Sequence, residues 1–228
     1  MKSLRRPIVY QGVTHPEYEM DFYTSNVYSK RFKDQILKPY LEDKGYLSFC
    51  FCTEGRRTNA RQHKILAETF PDLISESPIV SYYGLKIGGY RHELKTPMGF
   101  TFICNMICPD HIDANGQNNH HTNIMLVTQF ENGLKSGPRR GREYRGIDEP
   151  RCGTYRIRIK WRNILDKNGK PFKIDKRFKT EEEAASAYNT FLKEGLLTIF
   201  GLDLGLKLYD LAYKNVIETP VQEQLIFG

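Results

Sequence analysis

Stretches of apolar residues along this chain predict several short strands. The aromatic-rich segment YLSFCFCT at 46–53 is typical of a strand, and YRIRIK at 155–160 alternates with the period of two that marks a strand with one buried face. The runs FTFICNMIC at 100–108 and IMLVT at 124–128 are almost wholly apolar, which favours buried strands. Strands are therefore expected at several places between residues 46 and 160.

After the strand predicted at 46–53, the pattern of apolar residues changes to a helical period. Ile65, Leu66 and Phe70 fall on one face of ARQHKILAETF, Arg61 and Lys64 point outward, and a proline ends the helix. The preceding TEGRRTNA has the composition of a turn and a helix N-cap. Prolines and glycines interrupt residues 71–100, which predicts an irregular insertion with short strands.

The next segment predicts a strand, a loop, a second strand and a helix. The first strand ends at Asp110 and His111, the loop DANGQNNHHTN follows, and IMLVT is the second strand. Thr128 and Glu131 then form a Thr-x-x-Glu capping box, so a helix begins at about residue 129 and carries Asn132 on its first turn.

The remaining chain predicts a small sheet and one helix. EYRGIDEPRCGTYRIRIKWRN, the turn DKNGKP and FKIDKRF predict three strands, and Thr180 with Glu183 caps a following helix. The chain is thus predicted to be an α+β protein built from modules: an N-terminal mixed module, a small strand-strand-helix (ββα) core, and a C-terminal three-stranded sheet with a helix.

Charge is concentrated in one part of the chain. The 228 residues carry a net charge of +7, but residues 133–180 hold sixteen Lys and Arg against five Asp and Glu. Aromatic residues lie among these cations, a composition that suits a polyanion such as DNA, with a solvated basic face as the alternative.

Other features of the composition bear on where the protein acts. No run of about eighteen apolar residues or export signal is visible, so an intracellular protein, cytoplasmic in a bacterial or phage-infected cell, is expected, with no membrane partner. Five cysteines are an odd number, which favours reduced thiols over a disulfide framework.

The Asp-His pair and the following Asn residues suit phosphodiester cleavage. This chemistry needs a base that deprotonates water, a divalent cation that stabilises charge on the phosphate, and hard oxygen ligands for that cation. Asp110, His111 and Asn132 could supply the base and the ligands.

These residues resemble the HNH nuclease family, and more closely its Asn-containing branch found in phage and intron-encoded homing endonucleases. The match lies in the spacing: Asn123 follows His111 by twelve residues, and Asn132 follows Asn123 by nine. The resemblance implies that Asp110 and Asn132 bind one Mg²⁺ or Mn²⁺, that His111 is the general base, and that Asn123 hydrogen-bonds the loop and orients His111. Asn132 stands where the full HNH pattern has its last His.

The other histidines and the cysteines have simpler interpretations. His120 and His121 lie in the loop, where a structural or DNA-contacting role is expected, because the family pattern gives these positions no chemistry. The cysteine pairs 50/52 and 104/108 do not have the two-residue spacing of a zinc knuckle, so zinc is not expected and buried thiols in strands are favoured.

The basic segment resembles an AP2 DNA-binding domain. The residues that carry the resemblance are YRGI at 144–147, Gly153 before Tyr155, and the predicted helix TEEEAA followed by AY. Such domains lay a three-stranded sheet in the major groove. The resemblance and the alternation place Ile157 and Ile159 toward the helix and the cations opposite them toward DNA. The predicted DNA-binding residues of the segment are Arg139, Arg140, Arg142, Arg145, Tyr155, Arg156, Arg158, Lys160 and Arg162.

A third resemblance completes the expected organisation. ILKPYLEDKGYLSFCF and RQHKILAETF are similar to the leading module of phage HNH homing endonucleases, separated here from the Asp-His strand by the insertion. The expected domains are an N-terminal DNA-binding module at 1–99, the nuclease core at 100–138, an AP2-like domain at 139–201 and a tail at 202–228.

Three functions remain open at this point. The residues favour a metal-dependent, homing-type DNA endonuclease acting on double-stranded DNA. A DNA-binding regulator without catalysis is the first alternative, and a restriction or structure-directed nuclease with the same centre is the second. The sequence does not decide the oligomeric state, the target, or nicking against double-strand cleavage.

Overall fold

The computed structural model describes residues 3–216 except residues 54 and 152, and the side chains of 53 and 149–151 are also outside the description. Residues 217–228 of the predicted tail and Cys152 therefore lie outside the described residues. The chain is a mixed α+β protein, as predicted, with four sheets and four α-helices among the described residues.

The described residues divide into two compact units. The first joins the residues up to 92 with 104–133, and the second joins 93–103 with those from 134 onward. The residues up to 92 and the segment that carries Asp110 and His111 therefore lie in the same unit.

The first unit opens with a four-stranded antiparallel meander and continues with a three-stranded sheet. The strands of the meander are β1 (Arg5–Tyr10), β2 (Val13–Asp21), β3 (Val27–Ser29) and β4 (Gln35–Leu37). The strands of the second sheet are β5 (Tyr40–Leu41), β6 (Leu47–Thr53) and β7 (Arg56–Arg61).

Strand β7 replaces the turn and N-cap predicted from TEGRRTNA. Its polar sequence forms a strand because its backbone pairs with β6, while Ala60, opposite Phe49, is the residue that it buries. No side chain caps the helix that follows directly at Gln62.

That helix, α1 (Gln62–Thr69), is the centre of the first unit and contacts strands of all three of its sheets. Ile65, Leu66 and Phe70 are fully buried, as the helical period predicts. Gln62 and His63 are also buried, although they are polar. The helix therefore carries polar side chains into the same core as its apolar face.

The predicted insertion at 71–100 contains short elements that join different sheets. They are β8 (Ser75–Glu76), α2 (Pro78–Tyr83) and β9 (His92–Lys95), followed by β10 (Thr101–Cys104). Strand β8 pairs in parallel with a later strand of the first unit, whereas β9 and β10 belong to a sheet of the second unit.

The apolar run at 100–108 is two strands rather than one. After β10, the exposed Asn105 and Met106 break the run, and the chain continues as β11 (Ile107–His111). The two halves separate because they pair with different partners. Strand β11 pairs antiparallel with β12 (Ile124–Thr128), and α3 (Gln129–Lys135) follows, which gives the predicted strand-strand-helix order.

The second unit contains the predicted three strands and the capped helix. Strands β13 (Ile147–Arg151), β14 (Thr154–Leu165) and β15 (Pro171–Phe178) pair antiparallel, and β10 pairs with the far end of β14. The sheet therefore has five strands, in which Phe102 of β10 and Ile164 of β14 are fully buried neighbours.

Helix α4 (Glu181–Leu211) covers one side of this sheet. Its N-terminus has the predicted capping box of Thr180 and Glu183. At Gly201 the backbone leaves helical geometry at a φ of 74°, and the helix then continues to Leu211, into the segment predicted as a tail. No described helix is long and apolar enough to cross a membrane.

Candidate active site

His111 lies at the end of β11 with 3% of its surface exposed. Its ring Nε2 lies 3.0 Å from Oδ1 of Asn119. The ring of His63 meets it edge-on at 4.7 Å between centroids, and Tyr46 lies 6.0 Å away. The histidine predicted to be the base is thus held among aromatic rings and at least one amide.

Asn123 fixes the loop that leads away from His111. Its Nδ2 donates to Oδ1 of Asp113 at 2.9 Å and to the carbonyl of Asn118 at 2.8 Å, and its Oδ1 accepts from the amide of Asp113 at 3.1 Å. The predicted loop contacts of Asn123 are present. The amide that lies against the His111 ring is that of Asn119.

Asp113 is the anion around which the loop folds. Its carboxylate also accepts from Nδ2 of Asn118 at 2.7 Å and from the amide of Asn115 at 2.8 Å. These hydrogen bonds, with that from Asn123, lower the pKa of Asp113 to about 2. The carboxylate is therefore ionised at neutral pH.

Gly116 is required at the tip of the loop. A Cβ at this position would lie 2.9 Å from the ring of Tyr46 and 3.0 Å from the carbonyl of Gly45. The close approach attaches the loop to the turn before β6, next to the ring that faces His111.

His63 is a second buried histidine beside His111. It is 3% exposed, and its Nδ1 has no hydrogen-bond partner within the described part of the chain. Burial, with a smaller contribution from His111, lowers the pKa of His63 to about 3. His63 is therefore neutral at neutral pH.

Asp110 precedes His111 on β11 and is half-buried. Successive residues of a strand point to opposite faces, so its carboxylate lies on the side of Cys108. Burial and, after it, the charge of Asp110 raise the pKa of the Cys108 thiol, in agreement with this placement. Asp110 and His111 thus present an oxygen donor and a ring nitrogen on opposite faces of one strand end.

Asn132 lies on the first turn of α3 and is half-buried. The preceding Glu131 is fully buried and accepts hydrogen bonds from the backbone and hydroxyl of Thr128, from the hydroxyl of Ser77 and from the amide of Ile79. One carboxylate therefore caps both α2 and α3. This fixes the turn that carries Asn132.

Asp110 and Asn132 fit a hard divalent cation by the chemistry of their oxygen donors. The described residues contain no cluster of three His, Cys, Asp or Glu side chains that could bind a metal. A cation at Asp110 and Asn132 would take most of its ligands from water and phosphate. The described cysteines, 50, 52, 104 and 108, are free.

His120 and His121 have contacts outside the His111 site. His120 is exposed, and its Nδ1 lies 2.8 Å from the hydroxyl of Thr122. His121 packs on the ring of Phe22 at 4.4 Å, and burial lowers its pKa. Both contacts suit the structural role predicted for these residues.

The second unit carries a face of alternating charges on the side of its sheet away from α4. The strand register places Ile157 and Ile159 on the buried side and puts Arg156, Arg158 and Lys160 on the other. The further cations of this face are Arg162, Lys173 and Arg177. This is the basic strand face predicted from the alternation.

Two carboxylates neutralise part of that face. Arg156 donates from Nε and Nη2 to both oxygens of Asp175, at 2.6 Å and 2.5 Å, and Lys173 lies 2.9 Å from the same carboxylate. Arg158 pairs with Asp148 at 3.0 Å. The hydrogen bonds from Arg156 and Lys173 hold the pKa of Asp175 well below its usual value.

Two of the predicted DNA-binding residues lie elsewhere. Tyr155 shares the register side of Ile157 and pairs with Phe178, whose ring faces Phe191 of α4, so Tyr155 belongs to the helix side of the sheet. Arg145 donates to the carbonyl of Leu134, and its backbone amide donates to Asn215. The three remaining predicted residues, Arg139, Arg140 and Arg142, are exposed between α3 and β13.

The sequence reasoning overlooked Gln62, His63 and Asn119. A signal was present for the first two, because they occupy positions of α1 that the helical period shares with buried Ile65 and Leu66. Polar residues at such positions indicate a buried polar network. Asn119 had no comparable signal among its Asn and Gln neighbours.

Comparisons with known proteins give one distant likeness. No protein family and no curated protein matches the chain. Among solved structures, one described as "DNA binding and cleavage by the HNH homing endonuclease I-HmuI" aligns with 84% of this chain and 90% of its own, at 16% identity and a TM-score of 0.38. At this identity and TM-score the likeness assigns no function to the chain.

Proposed function

We propose that the chain is a metal-dependent DNA endonuclease that hydrolyses phosphodiester bonds at a recognised site. The observation that carries the proposal is the end of β11, where Asp110 offers a half-exposed carboxylate and His111 has its ring fixed through Nε2. A base and a hard oxygen ligand on consecutive residues of one strand end are the minimum set for activating water near a phosphate.

Each residue has a distinct part in this reaction. His111 takes a proton from the attacking water, and Asn123 and Asp113 hold the loop behind it. Asp110 and Asn132 would hold Mg²⁺ or Mn²⁺, and the cation would supply positive charge to the phosphate and the leaving oxygen. The neutral amide of Asn132 leaves more positive charge for the phosphate than a carboxylate would.

Double-stranded DNA is the proposed substrate because of the charge of the second unit. Its exposed cations Lys160 and Arg162 extend in a row along β14, at the alternating positions that suit a strand face in the major groove. A site-specific, homing-type nuclease is the form that the three sequence resemblances favour.

The test uses purified protein with supercoiled plasmid and with genomic DNA, in Mg²⁺, in Mn²⁺ and in chelator. We expect nicked or linear plasmid with either metal and none in chelator. His111→Ala should lower cleavage by about a hundredfold or more with DNA affinity within twofold, because a general base contributes about 10²–10⁴-fold to the rate and little to binding. His120→Ala is the matched control and should cleave at the wild-type rate.

The burial of His111 favours a second candidate, a DNA-binding regulator without catalysis. A ring that is 3% exposed would then be a structural histidine of the core. Tight DNA binding with no cleavage in any metal would support the regulator and would contradict the nuclease.

A further inference from the structure

Four buried residues form a continuous chain of hydrogen bonds that ends on His111. The carbonyl of Ser25 accepts from Nε2 of Gln62 at 2.7 Å, and Oε1 of Gln62 accepts from Nδ2 of Asn119 at 3.0 Å. Oδ1 of Asn119 then lies 3.0 Å from Nε2 of His111. Ser25, Gln62, Asn119 and His111 are each at most 7% exposed.

The carbonyl of Ser25 fixes the direction of every hydrogen bond in this series. A backbone carbonyl can only accept, so Gln62 must turn its NH₂ group toward Ser25 and its oxygen toward Asn119. Asn119 must then turn its NH₂ group toward Gln62, where it also reaches the carbonyl of Gln117 at 3.3 Å. The oxygen of Asn119 is left facing His111.

An amide oxygen also only accepts, so Nε2 of His111 must carry the hydrogen. In the neutral ring the lone pair is then on Nδ1. We propose that Gln62 and Asn119 are positioning residues that hold His111 in the Nε2–H tautomer, with Nδ1 as the basic nitrogen.

A second contact holds Asn119 from its backbone side. The hydroxyl of Ser25 donates to the carbonyl of Asn119 at 2.7 Å, and Ser25 has a positive φ of 54°, which few residues other than glycine adopt. Ser25 therefore contacts both Gln62 and Asn119 in this series of hydrogen bonds. The segment before β3 and the loop after β11 are joined through it.

The inference rests on the proposed function for its chemical meaning. When His111 acts as the base, an O–H bond of water breaks and its proton moves to Nδ1. The hydroxide oxygen bonds to phosphorus, and the bond from phosphorus to the leaving oxygen breaks; that oxygen keeps the electron pair and takes a proton from solvent water. The ring becomes a cation whose Nε2–H still donates to Asn119. A ring in the opposite tautomer would present a hydrogen instead of a lone pair at Nδ1.

The tautomer can be measured without DNA or metal, by long-range ¹H–¹⁵N correlation of the histidine rings at a pH where His111 is neutral. We expect His111 in the Nε2–H form. An Nδ1–H ring in the wild-type protein would overturn the inference, and this result does not depend on whether the protein cleaves DNA.

Three variants test this series of hydrogen bonds. Gln62→Leu removes the acceptor that orients Asn119, so the amide can rotate and the tautomers should mix. Gln62→Glu, when protonated, offers one donor and one acceptor in the same positions and should restore the Nε2–H form. Gln117→Leu makes the same chemical change on an exposed side chain of the loop and should alter nothing.

Cleavage by the same variants separates positioning from folding. With thermal unfolding still cooperative, Gln62→Leu should lower single-turnover cleavage roughly tenfold to a hundredfold, the loss seen when a residue that orients a metal-binding histidine is removed, with DNA affinity within twofold. Gln62→Glu should recover most of that loss. If Gln62→Leu is folded and keeps both the tautomer and the cleavage rate, the positioning role is wrong.

Discussion

Asp110 and Asn132 would offer a cation only one formal negative charge between them. Asn132→Asp adds a carboxylate at the same reach, so we expect tighter metal binding in the absence of DNA. Cleavage at saturating Mg²⁺ should be slower, because less positive charge is left to stabilise the phosphate. Calorimetric titration with Mn²⁺ and single-turnover cleavage measure the two effects.

Asn132→Ala completes this comparison by removing the amide oxygen. Most activity should be lost and partly recovered at higher Mn²⁺. A variant that matches the wild type at low Mg²⁺ would show that Asn132 is not a ligand.

His63 makes stability depend on pH. Its folded pKa of about 3 lies below the value of about 6.5 in an unfolded chain, so the unfolded state binds more protons below pH 6.5. The contribution is complete above that pH and is lost as the pH falls toward 3, at about 1.4 kcal/mol per pH unit.

The variant His63→Phe should remove this loss while keeping an aromatic ring beside His111. Urea unfolding at pH 7, 6 and 5 should show a smaller decline in the free energy of unfolding than in the wild type. The exposed His120→Gln is the control. An equal decline in all three proteins would mean that His63 is not the group that titrates.

At the scale of elements, strands β14 and β15 decide how much of the basic face can bind DNA. Asp175 holds Arg156 and Lys173 by ion pairs, and the side chains of Arg156 and Asp175 are 35% and 23% exposed. Solvent screens an ion pair of this kind and leaves it little net stability, so phosphate can compete for these cations.

Asp175→Asn should therefore raise affinity for non-specific duplex DNA by up to about fivefold, because Arg156 and Lys173 lose the carboxylate that competes with phosphate. The control Asp203→Asn makes the same charge change in α4, where Asp203 pairs with Lys207. Fluorescence anisotropy at fixed salt measures both variants. An equal gain in both would show a general charge effect, and the strand face would then have no special part.

Elements that a local sequence pattern specifies lie where they were predicted, and those that depend on distant pairing do not. Helices α1 and α3, strands β6 and β12, and the capping box at the start of α4 follow the predicted residues closely. Each depends on a period or a cap within a few residues. Strand β7 and the division of residues 100–108 were predicted wrongly, because pairing with distant strands decided them.

At the scale of the whole molecule, positive charge is segregated into the second unit. Neutralising each phosphate releases counterions, so the logarithm of affinity should fall linearly with the logarithm of salt concentration. Replacing Lys160 and Arg162 together by Gln should reduce that slope by about 2, since each phosphate contact contributes about 0.9. DNA affinity measured between 50 and 200 mM salt tests this.

A matched pair of lysines provides the control for this experiment. Lys193 and Lys207 on α4, changed together to Gln, alter the net charge by the same amount but lie on the helix side of the sheet. The salt dependence of DNA affinity of this double variant should remain that of the wild type. The same reduction in both double variants would remove the strand face from the DNA contact.

The sequence by itself determined the elements whose formation depends on residues close together in the chain. Hydrophobic period, capping boxes and the uneven charge predicted an α+β chain, the strand-strand-helix order around Asp110 and His111, and a basic strand face. These predictions needed only neighbours within a few positions, whose geometry the backbone fixes.

The tertiary structure decided which distant residues meet. Gln62 lies 57 residues before Asn119, and Ser25 lies 94 residues before it, yet both contact it in the core of the first unit. The pairing of Arg156 with Asp175, and the turn of Tyr155 toward α4, likewise depend on strand register. Hydrogen bonds and ion pairs of this kind form where packing brings chain segments together, which a period of two or 3.6 residues does not encode.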